Sequence, residues 1–215
     1  MKPWVVKLGG SLEKSGGLGG WPELLAAHGG GRVVIVPGGG RHADFVRAAQ
    51  ERWRFPDVTA HRMALLAMEQ FADALVAREP ALVPATDPAG MKALLAAGRV
   101  PVWMPYPLAA FDDSLPCGWE VTSDSLAVWL AGKLGAELVA LVKAAPDPRP
   151  ACSAEGLARS GIVDAAFPAA ADAYSGAIAC LAYREADLLK KAMEEGSWRA
   201  LPLLERRATG TAPAA

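Results

Sequence analysis

Cysteine is scarce and poorly placed for pairing. Cys117, Cys152 and Cys180 are odd in number and far apart, which excludes a disulfide framework and a cysteine-built zinc site. The three histidines, His28, His42 and His61, show no metal-ligand spacing with them, so no metal is expected on protein side chains. Charge is in excess on neither side. With a net charge of −1 and a pI of about 6.3, the chain has no electrostatic footprint for nucleic acid or an anionic membrane. Long apolar runs are missing too: the most apolar stretch, 126–142, is interrupted by Lys133 and Glu137, so no membrane span is expected. Met1 leads into a strand-like run rather than a leader pattern, and the expected location is the cytoplasm. What is plentiful is apolar surface. At 52% of 215 residues it is enough for a sizeable core, expected as one domain over 1–208 with a disordered tail over 209–215.

Strand-like and helix-like stretches alternate along the chain. Trp4–Leu8, Val33–Val36, Val100–Met104 and Leu138–Val142 read as short buried strands, the last ending in Lys143. Helices are expected around Pro22–Ala27, from Ala43 to Trp53, over His61–Arg78, from Asp87-Pro88-Ala89 to Gly98, over Leu126–Leu134 and over Glu185–Glu194. Thr122-Ser123-Asp124-Ser125 reads as the cap of the fifth of these. The proline-rich stretch 105–121 reads as a loop, and 161–164 and 176–182 as later short elements. This alternation predicts an α/β three-layer αβα sandwich around a mainly parallel sheet.

Two strand-to-glycine junctions carry the chemistry. In Val33–Val36, Pro37 and Gly38-Gly39-Gly40, a strand ends at a proline and a triple glycine, and a helix starts directly after. Glycine lets backbone N–H groups approach a ligand, and a helix start adds partial positive charge, so the segment is a candidate anion cradle. Trp4–Leu8 runs likewise into Gly9-Gly10-Ser11, and here the strand carries Lys7. A charge on an apolar strand is expensive unless it has a task. Two such junctions, one with a lysine, suggest two phosphate-bearing ligands that meet.

The common nucleotide motifs fail on their second feature. Gly38-x-Gly40-x-x-Ala43 fits a dinucleotide fingerprint, but Asp57, the nearest acidic partner, lies in Phe55-Pro56-Asp57 rather than at a strand end. Gly132-Lys133 lacks the Walker A spacing and its Ser/Thr.

Val6-Lys7-Leu8-Gly9-Gly10-Ser11, Val36-Pro37-Gly38-Gly39-Gly40 and Thr122-Ser123-Asp124-Ser125-Leu126-Ala127, in this order and spacing, resemble the amino acid kinase superfamily over about residues 4–143. The resemblance implies an ATP-dependent kinase, with an acceptor-binding N-terminal half and an ATP-binding C-terminal half. It implies that Lys7 stabilises the transferred phosphoryl group and that Gly9, Gly10 and Ser11 approach the ATP phosphates. By the same resemblance Gly38, Gly39 and Gly40 hold the acceptor with Asp44, Arg47, Thr122 and Ser123 nearby, while Asp124 orients the lysines. Where the family reads Thr-Asp-x-Asp-Gly, this chain reads Val142-Lys143-Ala144-Ala145-Pro146-Asp147, which leaves Lys143 and Asp147 on the nucleotide side. Lys14 stands for the loop lysine of isopentenyl phosphate kinases. Mg2+ is expected to be held mainly by the nucleotide phosphates.

Within the superfamily the chain is most similar to the kinases of methanofuran biosynthesis and their methylotroph relatives, through Ala60-His61-Arg62-Met63-Ala64, Met68-Glu69-Gln70 and Trp119–Ser125. Those enzymes phosphorylate (5-(aminomethyl)furan-3-yl)methyl phosphate to the diphosphate. An acceptor of that kind carries an amine, for which Asp44, Asp112 or Asp113 is the expected anion. Uridylate and isopentenyl phosphate kinases are the alternative, and a non-catalytic nucleotide-binding protein of the same fold is another. The apolar stripe on 61–78 is expected to be buried, in part against a second copy of the chain.

Overall fold

The computed structural model describes residues 2–10, 18–144 and 153–205. Its elements run β1 (Trp4–Leu8), α1 (Trp21–His28), β2 (Val33–Pro37), α2 (Gly40–Trp53), α3 (Asp57–Arg78), β3 (Leu82–Ala85), α4 (Pro88–Ala96), β4 (Val100–Trp103) and α5 (Tyr106–Ala109). Then follow α6 (Ser123–Leu134), β5 (Leu138–Lys143), α7 (Ala154–Arg159), α8 (Phe167–Ala173), β6 (Ala177–Ala182) and α9 (Ala186–Glu195). The strands form one sheet in the order β3-β4-β2-β1-β5-β6, with every pairing parallel.

A parallel sheet covered on both faces needs apolar residues at every position, which is why β1, β2 and β5 read as unbroken runs. All of their residues are buried. The two faces are told apart by alternation. Val5, Val34, Val36, Val139 and Leu141 pack into the layer of α6, α7 and α8. Trp4, Val6, Leu8, Val33, Ile35, Leu138, Ala140 and Val142 face the layer of α1 and α9. The expected three layers are present.

Several boundaries differ from the sequence reading. α2 starts at Gly40 rather than Ala43, reaching back into the glycine loop through a positive φ of 52°. β3 escaped notice because it is four residues long and carries Pro84, which suits only an edge strand, and the edge is where it lies. The loop 105–121 holds the short α5. Residues 161–164 form no strand or helix, and the neighbouring α7 and α8 were not expected. Of the stripe expected on 61–78, Ala67, Phe71 and Leu75 are buried within the chain and Met63 is half-buried, while Leu66, Gln70 and Ala74 are exposed; Leu65, Met68 and Ala72 join the buried face instead. Residues 209–215 lie outside the described residues. No helix among the described residues is long and apolar enough to cross a membrane.

Candidate active site

β1 lies between β2 and β5, so the chain leaves it toward one side for β2 and returns on the other for β5. In open α/β sheets such a switch point opens a crevice at the carboxyl ends of the strands, where ligands bind. Gly9-Gly10 follows β1, Gly38–Gly40 follows β2, and Lys143 ends β5. Three adjacent strands therefore deliver all three segments to one edge.

Strand alternation fixes which way the two lysines point. Lys7 has the parity of Val5, and Lys143 that of Val139 and Leu141, so both face α6. The residue that meets them there is Asp124, in the first turn of that helix. The Lys7 ammonium lies 2.9 Å from Asp124 Oδ1, and Lys143 Nζ donates to Oδ1 and Oδ2 at 2.8 Å each. All three are buried. Burial by itself would push the Asp124 carboxyl up, but the two ammonium charges more than reverse this and hold it below the ordinary carboxylate range. Burial likewise lowers Lys143, and the charge of Lys7 lowers it further against the pull of Asp124. Two cations on one anion leave this cluster with a net positive charge. It is built for a further anion.

The first turn of α6 is anchored from a distance. Thr122 occupies the cap position but makes no side-chain cap bond. The Asp164 carboxylate does this work: Thr122 N–H donates to it at 2.9 Å, Thr122 Oγ1 at 2.8 Å and Ser125 N–H at 3.1 Å, and the Ser125 hydroxyl donates as well. The reading of Thr122–Ser125 as a self-capping segment is thus corrected. The capping acceptor lies some forty residues further along the chain, where local sequence gives no signal for it. Asp164 fixes the turn that presents Asp124.

The glycines have a second task besides ligand approach. A Cβ on Gly10 would lie 2.1 Å from Gly40 N, and one on Gly38 would lie 2.3 Å from Gly10 N. The two loops cross backbone against backbone, and only glycine fits at these crossings. Gly38 N–H donates to the Leu8 carbonyl at 2.9 Å and Gly9 N–H to Val142 at 3.3 Å, so these donors extend the sheet. The start of α2, around Gly39 and Gly40, has no side-chain cap among the described residues. It is the part of the loop suited to an anion.

Beside α2 lies a small cavity of about 80 Å³, bordered by Gly39, Asp44, Arg47, His61, Trp119 and Ser123, with Thr122 also on its wall. Its outer wall is braced by stacking and hydrogen bonds. The Arg47 guanidinium lies 4.5 Å over the Trp119 ring, and Trp119 Nε1 donates to Gln50 Oε1 at 2.7 Å. Gln50 Nε2 in turn donates to Asp57 at 2.7 Å. Five of the residues expected to bind the acceptor thus meet here: Gly39, Asp44, Arg47, Thr122 and Ser123.

Four expected acceptor residues, Gly38, Gly40, Asp112 and Asp113, are not among those that border the cavity. Asp112 accepts from Lys133 Nζ at 2.9 Å and from Ser114 N–H at 3.0 Å, which makes it a brace between the 110–114 turn and α6. The Ser114 hydroxyl first, and then Lys133, pull its carboxyl down to about 2. Asp113 is exposed beside it. Ser11, Lys14 and Asp147 lie outside the described residues. His61, which no site reading had singled out for a role, does border the cavity.

The model of the amino acid kinase family matches residues 2–147. The chain belongs to the amino acid kinase family. That span holds the cluster, both glycine loops and the cavity, while Asp164 lies beyond it. A curated relative, the [5-(aminomethyl)furan-3-yl]methyl phosphate kinase of Methanocaldococcus jannaschii, is 27% identical over 137 residues, which is 60% of this chain and 60% of that protein. Among solved structures, the uridylate kinase of Archaeoglobus fulgidus superposes with a TM-score of 0.63 at 17% identity, covering 90% of this chain and 96% of that one. The UMP kinase of Ureaplasma parvum gives 0.64 at 13% identity, covering 90% and 92%. The aspartate kinase of Synechocystis gives 0.59 at 17% identity, covering 84% of this chain and 38% of that one. These likenesses establish the amino acid kinase fold. The matched relatives are kinases, which supports the same reading of this chain.

Proposed function

We propose that the chain is an ATP-dependent kinase that transfers a phosphoryl group to a small phosphorylated acceptor, best matched by (5-(aminomethyl)furan-3-yl)methyl phosphate. The observation that carries this is the buried pair Lys7 and Lys143 on the single carboxylate of Asp124, positively charged overall and carried to the same sheet edge as the start of α2, which has no side-chain cap among the described residues. Phosphoryl transfer passes charge across the equatorial oxygens of the moving group, and catalysis is mostly positioning and electrostatic stabilisation. Lys7 and Lys143 supply the positive charge in a dry setting, where it is worth most. Asp124 keeps both ammonium groups aimed, and the start of α2 takes the acceptor phosphate. A phosphate acceptor is largely ionised at neutral pH, with a second pKa of about 6, so its attacking oxygen needs no general base. That suits a site whose buried carboxylate is already committed to two lysines.

Among the described residues no group of three or more His, Cys, Asp or Glu side chains could cage a metal ion. In this reading Mg2+ arrives on the nucleotide phosphates. The small cavity favours a compact acceptor tip over a nucleoside, and Asp44 on its wall is the anion offered to an amine. Phe45, Val58 and Leu66 stand exposed on α2 and α3, and a second copy of this chain is proposed to cover them, a state that sedimentation would read directly.

The test is incubation with MgATP and, separately, the aminomethylfuran phosphate, UMP and isopentenyl phosphate, followed by 31P NMR. Diphosphate formed from the furan alone is the expected result. UDP or isopentenyl diphosphate as the main product would overturn the acceptor assignment. ATP binding without turnover on any acceptor would overturn the enzymatic one.

A further inference from the structure

His61 sits in the first part of α3 and is buried, at 7% exposure. The Ala109 carbonyl at the end of α5 lies where it favours a ring N–H turned toward it. His61 Nε2 is buried and has no hydrogen-bond partner among the described residues. A buried nitrogen left without a partner is costly, so such groups are rare and call for an explanation. The same ring borders the small cavity next to Asp44, Arg47 and Ser123. The explanation lies in that cavity.

The Ala109 carbonyl bears on what Nε2 can do. A neutral imidazole carries one N–H and one lone pair. An N–H turned toward Ala109 belongs to the other nitrogen, since Nε2 has no partner, and Nε2 then presents the lone pair. Burial disfavours the charged ring and Arg62 adds to this, against the pull of the Ala109 carbonyl, so the ring stays neutral below its ordinary range. A neutral Nε2 repels a phosphate oxygen and attracts an N–H or O–H.

We infer that His61 Nε2 accepts a hydrogen bond from a donor group at the far end of the acceptor molecule, the aminomethyl nitrogen when the acceptor is the furan phosphate. His61 is then a specificity residue: it reads the end of the acceptor opposite the reacting phosphate, with Asp44 supplying charge. The inference rests on the kinase reading above and adds how the acceptor is selected. A site built to take a hydrogen bond rejects an analogue that lacks the donor, because its own buried group is then left unpaired.

Two measurements test it, one of which needs no turnover. In 15N NMR of the free protein at pH 7, His61 is expected as the tautomer protonated on Nδ1, with Nε2 unprotonated. An Nε2–H tautomer or an imidazolium would overturn the inference whatever the substrate is. In kinetics, wild type, His61→Phe and His61→Gln are compared on the best acceptor and on its analogue with the amine replaced by hydrogen. His61→Phe should raise KM for the amine-bearing acceptor about tenfold to a hundredfold, leave KM for the analogue and for ATP nearly unchanged, and so erase discrimination. His61→Gln, whose amide oxygen reaches the same place, should restore part of it. Equal losses on both acceptors would overturn the inference. If wild type instead prefers another acceptor, the furan assignment falls, and His61 is judged on that acceptor with and without its donor.

Discussion

The lysine cluster and the acceptor cavity share one edge of the sheet but are held in opposite ways. In the cluster every polar group answers another: Asp124 binds both lysines, and Asp164 ties down the turn that carries it. Charge is what remains unsatisfied. In the cavity the walls are braced by stacking and by the Trp119–Gln50–Asp57 chain, and what remains unsatisfied is a hydrogen bond, at His61 Nε2. Each end therefore asks for a different part of a ligand. The cluster asks for an anion and the cavity for a donor.

The sharpest break of the cluster is Asp124→Asn. Removing one partner of a buried ion pair leaves uncompensated charge, here on two lysines, at a cost of about 3–5 kcal/mol. Urea denaturation should register that loss. Lys143→Met is the contrasting change. It relieves the repulsion from Lys7 and leaves Lys7 and Asp124 as a one-to-one pair, so the apparent Tm without ligand should hold or rise while turnover collapses. A marked fall in Tm would mean that Lys143 is a structural lysine.

A smaller effect is expected from Asp164→Asn, which weakens the anchor of α6. Loss of a cap costs about 0.5–2 kcal/mol. Because Asp124 is carried by the same turn, kcat should fall with it while the acceptor KM changes little.

On the cavity side, Asp44→Asn should raise the acceptor KM about tenfold to a hundredfold, as for a lost charge-assisted hydrogen bond of about 1.5–3 kcal/mol. Asp112→Asn should leave it unchanged, because Asp112 is engaged elsewhere. Its effect belongs to acid stability. The native carboxyl titrates at about 2 against an ordinary 3.8, so the brace stabilises the fold above about pH 4 and loses that contribution as pH falls toward 2. Asp112→Asn should flatten this part of an acid melting curve. Equal KM shifts for Asp44→Asn and Asp112→Asn would dissolve the distinction between cavity wall and brace.

The two regions also differ in how far sequence reveals them. Lys7 is legible because a lysine on a buried strand is conspicuous, whereas Asp124 and Lys143 are reached only through the resemblance to the amino acid kinases. The layered fold follows from the same apolar runs. The cavity depends on tertiary contacts that periodicity does not encode. His61 reads as one more position in an apolar helix stripe until the Ala109 carbonyl of α5 is brought to its ring. Asp112 and Asp113 read as free carboxylates until Lys133 is brought beside Asp112. Asp164 caps α6 across a long separation, and β3 hides behind its proline.

Catalysis by this site turns on Lys7 acting in the transition state. The most direct measurement is single-turnover kcat and ATP affinity for Lys7→Ala beside wild type, on whichever acceptor the wild type uses best. Loss of a fixed charge aimed at the moving phosphoryl group should lower kcat by about 10² to 10³ with ATP affinity little changed. A kcat within about threefold of wild type, a change worth less than ~1 kcal/mol, would contradict it.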